Sequence, residues 1–443
     1  MKKTLRYESD APPYLTVDTV VARVVEGPDA GLVVAGDSDT MSVGTADGNA
    51  LVLTDPTVSR FHADLVCAPD GVWVRDQGST NGTHVNGVRV TEALLPVKAR
   101  LQLGRTVLRL DPSDSVDLVV HSADHIGDIY GRSAVMRRLM TQVARVAASG
   151  ASTLVVGESG TGKELIARAI HDLSDRSSGP FVTVDCGAMA PNLVASELFG
   201  HERGAFTGAD HQHAGAFERA HGGTLFLDEV GELSPELQPT LLGALERKRF
   251  RRVGGRAEID VDVRVVAATH RDLRAEVNAG KFRLDLYYRL AVVRLEVPAL
   301  RARVDEDLEL LVSHFLSECG VEDSPEAVFG PEVLAALRQH HWPGNVRELR
   351  NVVEATVAMG EPPSLSRSLV GDEGAVDGSG QIALPPLLPL PYKDARAAVL
   401  ARFEARYLAH WLDKAEGNVS KAARLAKVDR SHFFHLLRRH GLR

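Results

Sequence analysis

The stretch "TLVVGESGTGKELIARAIHDL", residues 153–173, decides the fold. It opens on a short apolar run and ends on Ile166, Ala169, Ile170 and Leu173, spaced for one helical face. Between them lies "GESGTGKE", Gly157 to Glu164. A glycine-rich turn between a buried strand and a helix is the context in which this pattern binds phosphate. Gly157, Gly160 and Gly162 let backbone N–H groups converge on phosphate oxygens, and the helix N-terminus adds a partial positive charge. Glu158, Ser159 and Thr161 complete the loop, and Lys163 would reach the β- and γ-phosphates. Glu164 stands where a Ser or Thr hydroxyl would usually bind Mg²⁺. The expected ligand is ATP with Mg²⁺.

Working outward, "FVTVDC" (181–186), "TLFLDEV" (224–230) and "VRVVAAT" (263–269) read as further strands with helical stretches between them. That alternation predicts a parallel α/β sheet. Asp228 and Glu229 end a buried strand, where two carboxylates are costly unless they serve a cation or a water. Asp228 is the candidate ligand of Mg²⁺ and Glu229 the candidate base for the attacking water. Thr269 and His270 end the next strand, where a sensor of the γ-phosphate would sit. Arg283, Arg289 and Arg347 are candidates for placing positive charge on the transferring phosphoryl group. "WPGNVRELRNVVEATVAM" (342–359) reads as an amphipathic helix of an α-helical lid.

The 443 residues suit two to four domains, and 44% apolar content can bury more than one core. Cys67, Cys186 and Cys319 fit no metal-ligand spacing and suggest a reducing, cytoplasmic setting. No signal peptide or membrane span is expected. Residues 14–112 read as many short strands broken by turns, an all-β sandwich. Residues 113–127 read as a linker, 128–360 as the α/β domain with its lid, and 361–393, rich in Pro, Gly and Ser, as a second linker. Residues 394–443 read as all-α. The net charge of −8 argues against nucleic acid, yet Asn418 to Arg443 holds seven Lys/Arg against one Asp. An acidic body with a basic end suggests that only the end meets DNA.

"GESGTGKE", "ELFGHERGAFTGA", "GGTLFLDEV", "FRLDLYYRL" and "WPGNVRELRN", in that order, resemble the AAA+ domain of bacterial sigma-54-dependent transcription activators. The resemblance implies an ATPase that remodels the closed complex of sigma-54 RNA polymerase through the loop Gly204, Ala205, Phe206, Thr207, Gly208 and Ala209. It implies a homo-oligomer, from dimer to hexameric ring, with Arg283 and Arg289 acting in trans and Arg347 as a second sensor. Gly204 and Gly208 permit the loop to rearrange, and Phe206 supplies an apolar contact. The family usually carries Asn before the Cys of the second strand, holding the catalytic Glu in check. Here that position is Asp185, which would repel Glu229 if the two faced each other.

"TVSRFH" (57–62) and "GSTNGTHVNG" (78–87) resemble the forkhead-associated (FHA) fold, an 11-strand sandwich that binds phosphothreonine peptides. Ser59, Arg60, Thr80 and Asn81 match its phosphopeptide positions, and His62 braces the loop. The family's Gly-Arg pair is here Gly44-Thr45, which leaves Arg60 to supply charge; a protein-contact or autoinhibitory role is the alternative. The implied partner is a phosphothreonine protein or a Ser/Thr kinase. "GNVSKAARLAKVDRSHFFHLLRRHGL" (417–442) resembles the Fis-type helix-turn-helix. Ala422, Ala423 and Leu425 would pack its first helix. Arg430, Ser431, His432, His435, Arg438 and Arg439 would meet upstream enhancer DNA. The turn has Lys427 where a Gly is usual. Two rivals are a DNA-bound phosphopeptide adaptor with a degenerate ATPase, which the full set of catalytic residues opposes, and another AAA+ remodeller such as a helicase loader, which the loop opposes.

Overall fold

The computed structural model describes residues 14–68, 70–96, 99–112 and 115–362, and in the C-terminal segment 408, 411, 414, 415, 418–426, 433, 434 and 437. The chain divides into two compact units, Met1–Ser364 and Leu365–Arg443.

The first unit begins with a sandwich of a five-stranded and a six-stranded sheet. Strand alternation sets its core. Val20, Ala22 and Val24 point inward from Val20–Glu26 and meet Met41, Val43, Leu65 and Leu101. The stretch read as a linker is partly ordered. Val116–Val119 pairs antiparallel with Tyr14–Val17, and Leu15, Val17 and Val120 bury together against Ala134. The apolar residues of "VDLVV" explain why this piece is a strand rather than a tether.

The α/β domain is a five-stranded parallel sheet: β1 (Thr153–Val156), β2 (Phe181–Asp185), β3 (Thr224–Asp228), β4 (Arg264–Thr269) and β5 (Val293–Glu296). Its order is β2-β3-β4-β1-β5. Every residue of β4 is buried, as expected of a parallel strand covered on both faces. Helix α1 (Ala134–Ser149) buries Met136, Leu139, Met140 and Val143 and stops at Gly150 in the left-handed region. Helix α2 (Lys163–Asp172) follows the phosphate loop, α3 (Pro191–Phe199) follows β2, and α4 (Ala216–Arg219) and α5 (Gln238–Arg247) flank β3. Helix α6 (Leu273–Asn278) is capped by Asp272, whose carboxylate accepts the amides of Arg274 and Ala275, and α7 (Leu284–Leu290) comes next. The lid is α8 (Val304–Glu318), α9 (Pro325–Gln339) and α10 (Asn345–Met359). Trp342 lies outside α10: it is fully buried, has φ of 50°, and donates its indole N–H to Leu337.

In the second unit, α11 (Val419–Leu425) buries Ala422 and Ala423 against Leu408, Phe433 and Leu437. Leu425 is exposed instead of packed, because it falls on the opposite side of the helix from Ala423. The candidate DNA contacts Arg430, Ser431, His432, His435, Arg438 and Arg439 lie outside the described residues, as does most of 361–407. Among the described residues no helix is long and apolar enough to cross a membrane.

Candidate functional site

The loop after β1 and the C-terminal end of β3 line one cleft of about 440 Å³, the usual place for a ligand in an open parallel sheet. Thr269 and His270, at the end of β4, stand behind it, His270 against Glu229. The loop after β1 turns through Gly160 (φ 77°) and Gly162 (φ 98°), a left-handed path that side chains resist. It delivers its chain into the start of α2, so free amides face the cleft. Lys163 is buried and donates to the carbonyls of Gly157 and Glu158, at 3.0 and 3.3 Å. Ser159, Gly160, Thr161, Gly162, Lys163 and Glu164 all line the cleft, as do Asp228, Glu229 and Arg347.

Glu229 has φ of 49° and ψ of 47°, a left-handed backbone in a residue with a Cβ. Strain of this kind persists at functional sites when the surroundings over-determine it. Asp228 accepts the Glu229 amide at 3.0 Å. One Glu229 oxygen accepts both the His270 ring N–H, at 2.7 Å, and the His270 amide, at 3.2 Å. The other lies 3.6 Å from the Lys163 ammonium. Burial works to raise the Glu229 pKa, but the two His270 hydrogen bonds and the Lys163 charge outweigh it and hold the carboxyl below its usual range. Asp228 moves the other way: burial, with the charges of Glu229 and Asp185, pushes it up against the Glu229 amide and Lys163. A carboxylate so destabilised is suited to a cation.

Asp185 does not face Glu229. Its carboxylate accepts the amides of Gly187 and Ala188, 2.8 and 3.1 Å away, and so caps its own turn. Asp185 thus bonds its own turn while its charge bears on Asp228, and His270 is the side chain that holds Glu229. Thr269 is fully buried and accepts the Arg271 amide.

Several contacts not expected from the sequence surround the cleft. Glu158 accepts Arg301 at 2.5 and 2.7 Å and Asn345 at 3.1 Å. Arg301 foremost, and Asn345 after it, hold its pKa down at about 2. A Cβ on Gly160 would collide with the Gly344 carbonyl. Arg347 donates to the Ser159 hydroxyl and its amide to Gly160. Asp307, fully buried, accepts the amides of Arg132 and Ser133, the Ser133 hydroxyl and Arg303. At the far end Tyr130 stacks on His314 at 3.9 Å beside Ile129, Leu311 and Phe315. Their apolar spacing is indistinguishable from core in sequence, so only the fold reveals them.

Arg283 and Arg289 do not line the cleft. Arg283 pairs with Asp285 and Arg289 donates to the Leu245 carbonyl; both are exposed. Residues 204–209 close a compact turn, with Gly204 donating to Ala209 and Ala209 to Phe206. Gly204 and Gly208 are left-handed, Thr207 is exposed and Ala209 is buried. Phe206 is half-buried, its ring edge-on to His201 at 4.9 Å.

On the sandwich, the Ser59 hydroxyl accepts the Thr80 amide and Asn81 donates to the Thr57 carbonyl. His62 is fully buried. Its Nδ1 accepts the Ser59 amide at 3.0 Å, so Nε2 carries the proton facing Gly82. Burial lowers its pKa, which keeps it neutral and structural.

The sheet order, the phosphate loop and the carboxylate pair at the end of β3 define an AAA+ ATPase. Residues 129–296 match the family described as "Sigma-54 interaction domain" and 301–374 the "AAA+ ATPase lid domain". Residues 23–114 match the cytoplasmic domain of an inner membrane component of type III secretion systems. The transcriptional regulatory protein GlrR of Escherichia coli K12 is 45% identical over 315 residues, 71% of this chain and 68% of the relative. ZraR of the same strain is 54% identical over 231 residues, 52% of each. NtrX of Brucella abortus in complex with ATP is 36% identical with a TM-score of 0.50, covering 72% of this chain and 70% of that one. The chain belongs to the family of sigma-54-interacting AAA+ transcriptional regulators. The FHA domain of CT664 from Chlamydia trachomatis aligns at 29% identity over 21% of this chain and 95% of that one, with a TM-score of 0.20.

Proposed function

We propose that this protein hydrolyses ATP to remodel the closed complex of sigma-54 RNA polymerase in the cytoplasm, while bound to upstream enhancer DNA and governed by its FHA-like sandwich. The observation that carries the reading is the Glu229 carboxylate, fixed between Lys163 and His270 at the mouth of the phosphate loop. Lys163 and the loop amides bind and orient the phosphates. Asp228 would hold Mg²⁺, which when bound offsets phosphate charge. Glu229, kept ionised, accepts at its carboxylate the proton of the attacking water. Thr269 and His270 sense the γ-phosphate, with Arg347 as second sensor. Arg283 and Arg289 lie outside their own cleft and are exposed, which suits supply to a neighbouring subunit of a hexamer.

The chain path supports coupling to the loop. Strand β2 ends beside Asp228, continues into α3, and opens directly into 201–213. Gly204 and Gly208 sit in open space in the left-handed region, where glycine lets the backbone rearrange. Phe206, half-exposed, offers the apolar contact to sigma-54, with loops of several subunits adding by avidity. The basic C-terminal segment with Arg430, Ser431, His432, His435, Arg438 and Arg439 binds the enhancer. Open-complex formation on a sigma-54 promoter tests the scheme. It should require hydrolysable ATP, and Phe206→Ala should abolish it with hydrolysis largely kept. Equal yields with and without ATP would refute remodelling.

A further inference from the structure

The sandwich loops that carry the phosphopeptide positions are seated on α6 and α7 through neighbouring residues, while Thr80 and Asn81 stay exposed and Arg60 reaches across. Phe61, next to Arg60, is only 1% exposed. Its ring meets Tyr287 edge-on at 5.0 Å and Tyr288 at 6.4 Å, with the Arg274 guanidinium over its face at 5.2 Å. Arg274 pairs with Asp64 at 3.0 and 3.2 Å, and the two side chains are 14% and 12% exposed. Asn278 grips both loops by their backbones. It donates to the carbonyls of Phe61 and Gln77, and its side-chain oxygen accepts the Phe61 amide. Arg60 donates to the Val277 carbonyl. A Cβ on Gly78 would touch Ala275, and the Gly48 amide reaches the Tyr288 hydroxyl.

These contacts use the same two loops, and in Arg60 the same side chain, that a phosphothreonine peptide would use. We infer that such a peptide and the α6–α7 surface are alternative occupants of the 57–62 and 78–82 loops, so that capturing one expels the other. The inference rests on the phosphopeptide reading of Ser59, Arg60, Thr80 and Asn81. Its chemistry is an exchange of bonds. Arg60 gives up a neutral carbonyl for a phosphate dianion, and charge-assisted hydrogen bonds are roughly twice as strong as neutral ones. The contact is a mixture of one aromatic anchor, one ion pair and backbone hydrogen bonds, typical of interdomain surfaces that separate and re-form. The docked sandwich covers the Tyr287 and Tyr288 side of α7, the helix that carries Arg289 in its last turn.

The test uses the full chain as Arg274→Glu, as Asp64→Lys and as the double swap. Each single change places like charges face to face and should undock the sandwich; the swap should restore the pair. The probe is an immobilised degenerate library of phosphothreonine peptides, with its unphosphorylated twin as control. Hydrogen exchange at 57–62 and 273–290 reports docking independently. The single variants should bind the phosphorylated library at least tenfold tighter than the wild type, with exchange raised in both segments. The double should return to the wild-type pattern. Equal binding by wild type and undocked single variants overturns the exclusion. If the single variants show raised exchange yet none of the proteins prefers the phosphorylated library, the phosphothreonine reading itself is refuted, and the inference falls with it.

Discussion

The nucleotide cleft and the sandwich loops are both clusters of polar loops at the ends of strands, yet they are held in different ways. In the cleft, each key side chain is fixed by groups of its own domain: Glu229 by His270 and its own left-handed backbone, Glu158 by Arg301 and Asn345. The sandwich has an internal brace, His62, but its outer contacts belong to α6 and α7. The first arrangement suits chemistry that must be ready in place. The second suits a surface that trades partners. A single chain thus separates preorganisation from exchange, and the two are testable apart.

The sharpest break comes from Glu229→Gln. It keeps the shape of the cleft, removes the proton acceptor, and should cut the steady-state ATPase rate by about 10²–10⁴-fold while leaving exchange at 57–62 as in the wild type. A change at 57–62 would mean that the two regions are not separate. Next, Asp307→Ala removes the acceptor that ties Arg132, Ser133 and Arg303 together. Leaving a buried arginine unpaired should cost about 3–5 kcal/mol in denaturant unfolding of the cleft-bearing domain. A milder probe is His270→Ala. Loss of a hydrogen bond to a charged group, about 1.5–3 kcal/mol, should slow turnover by roughly 10- to 150-fold, with His270→Asn recovering part. Unchanged turnover would remove His270 as the tether of Glu229.

The smallest effect is expected at Glu158. Its folded pKa is about 2 against an ordinary 4.5, so its contribution is complete above pH 4.5 and is lost as the pH falls from there toward 2. Because the pair with Arg301 is nearly half exposed, water and salt weaken it. Proteolytic sensitivity of the lid should rise modestly over that window, and Arg301→Ala should flatten the profile.

Much of the cleft was legible in the sequence because its signals are local. Glycines at fixed spacing between a strand and a helix leave few alternatives, and Asp228-Glu229 ends an obvious buried run. What escaped depended on orientation or on distant partners. Nothing about "VDCG" says that Asp185 turns toward its own amides and away from Glu229. The 113–127 stretch read as a linker because its strand partner, Tyr14–Val17, lies about a hundred residues earlier. Nothing in "TVSRFH" marks Phe61 as a contact with the α/β domain, since its partners Tyr287 and Tyr288 lie more than two hundred residues on. Arg283 and Arg289 were assigned by resemblance, and their place outside the cleft is a matter of three dimensions only.

The closeness of Gly160 to Gly344 bears on how far this chain can be shortened with its phosphate loop still enclosed. Part of the phosphate loop's outer wall is made by the segment around Asn345 and Arg347, far beyond the last strand of the sheet. A fragment ending after β5 would keep every motif residue from Gly157 to His270 and still present a loop open on one side. Whoever trims the protein to a minimal ATPase should therefore cut beyond Met359, so that the Gly344 carbonyl still closes on Gly160.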